Sequence, residues 1–335
     1  MRINYLYEVH QGNWTQGYHY TVLKALDGWD VFCIDAVGLS DEQIADAVAD
    51  APSCDVWYCM SFLDRWLYPV ALRAPIRGEK IIVHNHGGME TRDSIALERG
   101  RFDTIVLPSI ADSKMVRILF NSKSNALAFG TFYGIKPRSI ATDHHETSFR
   151  VVGFPIHDLE HYVHENNANE NNVERRGIVV PGRFSETKQT MLAAEILRPF
   201  REQTTFCTGV MPTKSYAAAL DALGFSVVFV QGMDYYRLLA RSKVAFTASM
   251  ADSLNSSMAE AASARAVLVA PKWGPFTEYA NEIYLYEPFS VVDARQKIRG
   301  ALGSSSETSC SDVSDYLPKE VARRIREVVS EFQED

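Results

Sequence analysis

The sequence predicts an α/β protein of two doubly wound domains facing each other across a cleft. Three observations predict it. Short apolar runs rich in Val and Ile alternate with helical patterns along nearly the whole chain. A polar stretch at Glu165–Arg176, heavy in asparagine, separates two such halves and cannot form a core. In the second half, glycine- and charge-bearing turns follow directly on the strand runs, where doubly wound sheets bind ligands.

The strand runs are taken in order. The first half contains Ile3–Val9, Asp30–Asp35, Asp55–Met60, Lys80–His84, Thr104–Leu107, Ala126–Phe129 and Arg150–Phe154. The second half contains Gly177–Pro181, Thr205–Thr208, Ser226–Val230, Val244–Thr247, Ala266–Ala270 and Ile283–Tyr286. They are short and bounded by turn residues, as expected of parallel strands buried on both faces. Helical spacing fills the gaps, as at Thr187–Phe200 and Ser256–Ala264. The expected domains are residues 1–165 and 173–315, both Rossmann-like. After a serine-rich stretch, an amphipathic helix over 318–333 presents Val321, Ile325, Val328 and Val329 on one face. That helix is expected to pack back on the first domain.

Composition narrows the function. The chain of 335 residues is 46% hydrophobic and 23% charged, ordinary for a globular protein. No apolar run reaches the length of a membrane span, and Met1–Tyr5 reads as a core strand rather than a leader, so a cytoplasmic location is the expectation. Five scattered cysteines, with no CxxC spacing, read as buried free thiols. The net charge of −8 does not suggest nucleic-acid binding as a whole. Charge is uneven, however: residues 1–64 hold two basic and ten acidic residues, residues 65–138 twelve basic and six acidic. That contrast is either scatter over solvated helices or a positive face for an anionic acceptor.

Two motifs carry the chemistry. The run Ile178–Pro181 leads into Gly182-Arg183-Phe184-Ser185-Glu186-Thr187-Lys188 and then a helix. Glycine permits the sharp turn, and two cations beside a helix N-terminus suit a diphosphate. The same residues also fit a plain surface loop. The second motif, Asp252-Ser253-Leu254-Asn255 through Glu260, follows the run Val244–Thr247. Its small residues let backbone N–H groups of Ser253–Ser257 approach phosphate oxygens. Glu260, two turns along, can accept from two ribose hydroxyls, and Asp252 from sugar hydroxyls. Otherwise Asp252 caps the helix and Glu260 is a solvated helix residue.

Together these motifs resemble the donor domain of GT-B glycosyltransferases, in particular the large retaining family with the E-x7-E motif. Gly182-Arg183 through Lys188 is similar to its G-R-x4-K element, and Asp252 through Glu260 to its E-x7-E spacing, with Asp for the first Glu. Val230-Gln231-Gly232 resembles the segment that family uses near the nucleobase. Residues 176–290 carry the resemblance; the first domain shares only the architecture. Two departures stand out. The family has Glu-Gly-Phe-Gly where this chain has Asp252-Ser253-Leu254-Asn255, and a small residue where this chain has Arg265.

The resemblance implies transfer of a hexose or pentose from a nucleoside diphosphate sugar, first a UDP-sugar, to an acceptor hydroxyl with retention. Arg183, Lys188, Asp252 and His86 are the expected catalytic group. Gly12, Gly17, Gly182, Gln231, Gly232, Ser253, Leu254, Asn255 and Glu260 join Arg183, Lys188 and Asp252 around the donor. No cofactor is expected and, with no D-x-D motif, no metal. Gly12 and Gly17 belong to the first βα turn, which also reads as an ordinary turn.

His84-Asn85-His86 ends the run at Lys80 and offers a histidine to the acceptor side. With Ser253-Leu254-Asn255 through Glu260 it also resembles the α-glucosyltransferases of T-even phages, although Asn85 stands where those have an acid. That likeness makes hydroxymethylated pyrimidine in DNA a candidate acceptor. A nucleotide-sugar epimerase or hydrolase, or a non-catalytic nucleotide-sugar-binding module, remain open on the same fold.

Overall fold

A computed structural model describes residues 1–9, 14–60, 64–85, 114–132, 148–160, 162–163, 175–209, 214–304 and 311–334. The chain folds as two compact units, Met1–Pro155 with Pro318–Asp335, and Ile156–Leu317. The expected strand Thr104–Leu107 and most of the stretch Glu165–Arg176 lie outside the described residues.

The first unit holds strands β1 (Arg2–Tyr7), β2 (Asp30–Asp35), β3 (Val56–Cys59), β4 (Lys80–Asn85), β5 (Val116–Phe120) and β6 (Phe149–Val151). Between them run α1 (Trp14–Ala25), α2 (Asp41–Asp50), α3 (Asp64–Arg77) and α4 (Lys123–Phe132). All pairings are parallel, in the order β2-β1-β3-β4-β5-β6. The direction of winding reverses between β1 and β3. Every residue of β3 and β5 is buried, as strands covered on both faces require. Helix α2 starts at a capping box: Gln43 N donates to Ser40 Oγ (3.2 Å), and Ser40 N to Gln43 Oε1 (2.9 Å).

The second unit holds β7 (Ile178–Pro181), β8 (Thr204–Thr208), β9 (Ser226–Phe229), β10 (Val244–Phe246), β11 (Val267–Pro271) and β12 (Leu285–Tyr286). Its helices are α5 (Thr190–Leu197), α6 (Lys214–Ala222), α7 (Gly232–Arg241), α8 (Ser256–Ser263), α9 (Phe276–Tyr279) and α10 (Val291–Gly303). The parallel order is β12-β11-β10-β7-β8-β9, so winding reverses between β7 and β10. This is the strand order of a dinucleotide-binding sheet. Phe206, Leu220, Phe246, Val269, Tyr286 and Ile298 build its core. Residues 156–163 belong to this unit: Ile156 N donates to Tyr316 O (3.0 Å), Leu159 N to Ser263 Oγ (2.9 Å), and Arg265 pairs with Glu160.

The last helix, α11 (Pro318–Glu334), packs on α1 of the first unit. It buries Val321, Ile325, Val328 and Val329. Its Glu331 accepts from Arg117 Nε of β5 and Arg150 Nε of β6, each at 2.8 Å. Both arginines are almost fully buried. Among the described residues no helix is long and apolar enough to cross a membrane.

Two expectations are corrected. Ala126–Phe129 is not a strand but the middle of α4. Its two alanines favour helix, and Ser122 Oγ accepts from Asn125 N (3.1 Å) at the helix start. The strand is Val116–Phe120, hidden in sequence by Arg117 within the apolar run. Likewise Cys33 is exposed rather than buried, because β2 is the edge of its sheet; Cys59 and Cys207 are buried and Cys54 is half-buried.

Candidate functional site

In the second sheet β7 and β10 lie side by side and lead into loops on either side of the reversal of winding. Such a crevice takes ligands in open α/β sheets. The two loops that leave it are the two motifs read from the sequence. They are stitched together by Ser249 Oγ donating to Thr187 O (3.4 Å) and by an ion pair between Lys188 Nζ and Asp252 Oδ1.

The first loop turns at Gly182, whose φ of 123° is closed to any L side chain at ordinary cost. A Cβ there would lie 4.0 Å from Ser257 Oγ, so space is not the constraint; the backbone angle is. Arg183 follows, exposed and without a hydrogen-bond or ion-pair partner among the described residues. Phe184 is buried in the core and anchors the loop. Ser185 N donates to Thr190 Oγ1 (2.9 Å), which closes the turn before α5.

The second loop ends at Asn255, which is left-handed (φ 61°) and caps α8 by accepting from Met258 N (3.2 Å). The cap is therefore Asn255 and not Asp252. Both carboxylate oxygens of Asp252 are engaged, Oδ1 by Lys188 and Oδ2 by Asn255 Nδ2 (2.9 Å). From below, Tyr279 OH donates to Leu254 O (3.0 Å) and fixes the loop against α9.

Glu260 lies on α8 with its carboxyl enclosed. Burial pushes its pKa up to about 7, with the nearby His157 backbone and the Tyr235 side chain pulling the other way. It is thus no solvated helix residue. Tyr235 has a buried hydroxyl whose own pKa is raised by burial and then by the neighbouring Glu260 charge. Tyr236 completes the surroundings: its ring lies 4.9 Å from His157 and 5.7 Å from Tyr162. Gln231 and Gly232 open α7, which carries both tyrosines; Gly232 has φ 57°. The Tyr235-Tyr236 pair was visible in sequence, but the His157 backbone group carries no residue signature.

In the first unit the reversal between β1 and β3 collects a buried polar chain. Tyr58 OH and Tyr18 OH are 2.6 Å apart, and Tyr18 OH bonds His84 Nδ1. His84 Nε2 reaches Asn121 Oδ1 at 2.9 Å. Since Oδ1 only accepts, Nε2 carries the hydrogen and Nδ1 accepts from Tyr18. His84 is therefore a fully buried core histidine with both ring nitrogens used. Asn85 beside it is also buried. Gly17 lies within α1, where a Cβ would meet nothing, so no close approach requires glycine there. Gly12 and His86 lie outside the described residues. Among the described residues no cluster of three or more His, Cys, Asp or Glu could hold a metal ion.

Two parallel six-stranded α/β units, each reversing its winding beside its first strand, define the GT-B fold. Solved structures share it along the full chain. A glycosyltransferase from Rickettsia africae matches with TM-score 0.70 at 13% identity, covering 100% of this chain and 99% of its own. HepE from Anabaena, in complex with UDP-glucose, matches with TM-score 0.62 at 15% identity, covering 99% and 95%. A UDP-forming α,α-trehalose-phosphate synthase from Burkholderia xenovorans matches with TM-score 0.66 at 11% identity, covering 100% and 98%. No family model and no curated protein sequence matches the chain.

Proposed function

We propose that this protein is a glycosyltransferase that moves a sugar from a nucleoside diphosphate sugar to an acceptor hydroxyl. The observation that carries the reading is that the loop bearing Arg183 and Lys188 lies against the loop and N-terminus of α8 where the second sheet reverses its winding. Three sources of positive potential there suit a diphosphate. As the bond between sugar and diphosphate breaks, negative charge grows on the departing phosphate. Cations fixed beforehand stabilise it, which is usually the largest single contribution to such a rate.

Glu260 takes the ribose hydroxyls, with Tyr235 and the His157 backbone close to its carboxyl. Gln231 and Gly232 stand at the start of α7 for the nucleobase side. A UDP-sugar is the first donor to try, since HepE holds UDP-glucose on the same fold. Retention and transfer without a metal belong to this proposal; they rest on the motif resemblance and on the absence of D-x-D. For the acceptor, His86 and hydroxymethylated DNA remain the candidates.

The test is calorimetric titration with UDP, GDP, ADP, CDP and TDP, followed by product analysis with and without acceptors. One nucleotide should bind, and Arg183→Ala should lose most of that binding while keeping the wild-type melting temperature. Failure of every nucleotide to bind would refute the reading. Turnover of the sugar nucleotide with no acceptor present would point instead to a hydrolase or epimerase.

A further inference from the structure

The two cations of the diphosphate site are not equivalent. Arg183 is exposed and unpaired among the described residues, whereas Lys188 is already held by Asp252. The Asp252 side chain is only 8% exposed, Lys188 27%. The same carboxylate also takes Asn255 Nδ2, and Asn255 caps α8. One carboxylate thus satisfies the ammonium and lies beside the helix N-terminus, the two features that would otherwise receive a phosphate oxygen. Tyr279, through Leu254 O, keeps the loop from drifting away.

We infer that Asp252 is the resident counter-ion of Lys188, and that a diphosphate oxygen must displace it to reach the ammonium. The inference rests on the diphosphate reading of this site. It gives Asp252 a positioning and affinity-setting part rather than the orientation of sugar hydroxyls. The exchange moves no proton and breaks no covalent bond: one anionic oxygen replaces another on the same ammonium. Its consequence is looser retention of the diphosphate product, since the carboxylate stands ready to reclaim the lysine.

The experiment is calorimetric titration of UDP, and separately of inorganic pyrophosphate, into the wild type, Asp252→Asn, Lys188→Ala and the double variant. Asp252→Ala accompanies them, because no amide can then face Asn255. Circular dichroism confirms that each variant folds. Removing the counter-ion should tighten UDP by about tenfold, or about 1.4 kcal/mol. A merely structural carboxylate would weaken it. The gain should shrink when Lys188 is absent, because the lysine carries the coupling. Unchanged or weaker UDP binding in both Asp252 variants overturns the inference. So does a gain as large without Lys188, which would mean simple repulsion of phosphate. If UDP binds no variant while pyrophosphate binds and tightens without Asp252, the counter-ion stands and the nucleotide reading falls. If neither ligand binds any variant, both fall.

Discussion

Glu260 is a carboxylic acid whose proton the fold holds more tightly than water does, from an ordinary 4.5 up to about 7. Replacing it with glutamine isolates the effect, because the amide keeps the shape and never ionises. In wild type the native state keeps the proton between about pH 4.5 and pH 7, a range in which the unfolded chain has lost it. Stability is therefore complete below about pH 4.5 and declines as pH rises through the folded value. At about 1.4 kcal/mol per unit, the loss above neutrality is about 3 kcal/mol as a ceiling, since the residue keeps some contact with solvent. Glu260→Gln should then match wild type near pH 5. Near pH 8.5 it should be more stable, with the second unit's melting temperature higher by roughly 6–12 °C. Scanning calorimetry at both pH values measures this. At pH 8.5, where Glu260 is ionised, the same variant should bind UDP at least about tenfold more weakly, through loss of a charged acceptor. A variant less stable than wild type at pH 8.5, or a difference that ignores pH, would refute the reasoning.

Other outcomes follow from the same geometry. Gly182→Ala places a side chain at φ 123° and should destabilise the second unit by about 1–3 kcal/mol, read by urea denaturation. Burial opposes ionisation of Glu331, yet hydrogen bonds from Arg150 and then Arg117 hold its carboxyl below the ordinary value. Its contribution is present above about pH 4.5 and is lost on acidification through the depressed value. Glu331→Ala removes the carboxylate that two buried guanidinium groups share and should cost the first unit about 3–5 kcal/mol near neutrality. Tyr18→Phe should cost about 1–3 kcal/mol there by removing the hydroxyl that bonds His84 Nδ1 and the Tyr58 hydroxyl, seen as a lower melting temperature. Arg183→Ala removes an exposed side chain with no partner among the described residues, and should leave stability alone and lower sugar-transfer turnover by about 10²–10³-fold in a radiolabelled-donor assay.

Much of the architecture could be read from local pattern. Buried parallel strands such as Val56–Cys59 and Val267–Pro271 need apolar residues on both faces, and that requirement is written in consecutive residues. Ala126–Phe129 falls where the pattern is weakest, since a four-residue apolar run fits strand or helix alike. Val116–Phe120 escaped because Arg117 looks like a surface residue. Its justification, Glu331, lies 214 positions away. The phosphate loop could be read for a local reason too: a glycine after a strand and two cations follow in order. Pairing of Lys188 with Asp252 spans 64 positions and depends on β7 lying beside β10, which no local pattern specifies. Glu260 is the clearest limit. Its environment is made by burial beside a tyrosine on another helix and beside the backbone at 157, which any residue but proline would present in the same way.

The route of the chain through the two units has a consequence for its synthesis. The second unit is one continuous stretch, Ile156–Leu317, whereas the first needs α11 from beyond it. As the polypeptide emerges from the ribosome, the later unit has all its parts before the earlier one does. Until Glu331 emerges, the first unit must carry Arg117 and Arg150 with their shared partner still unmade. The half translated first thus waits for a helix that is made only after every part of the other half has been.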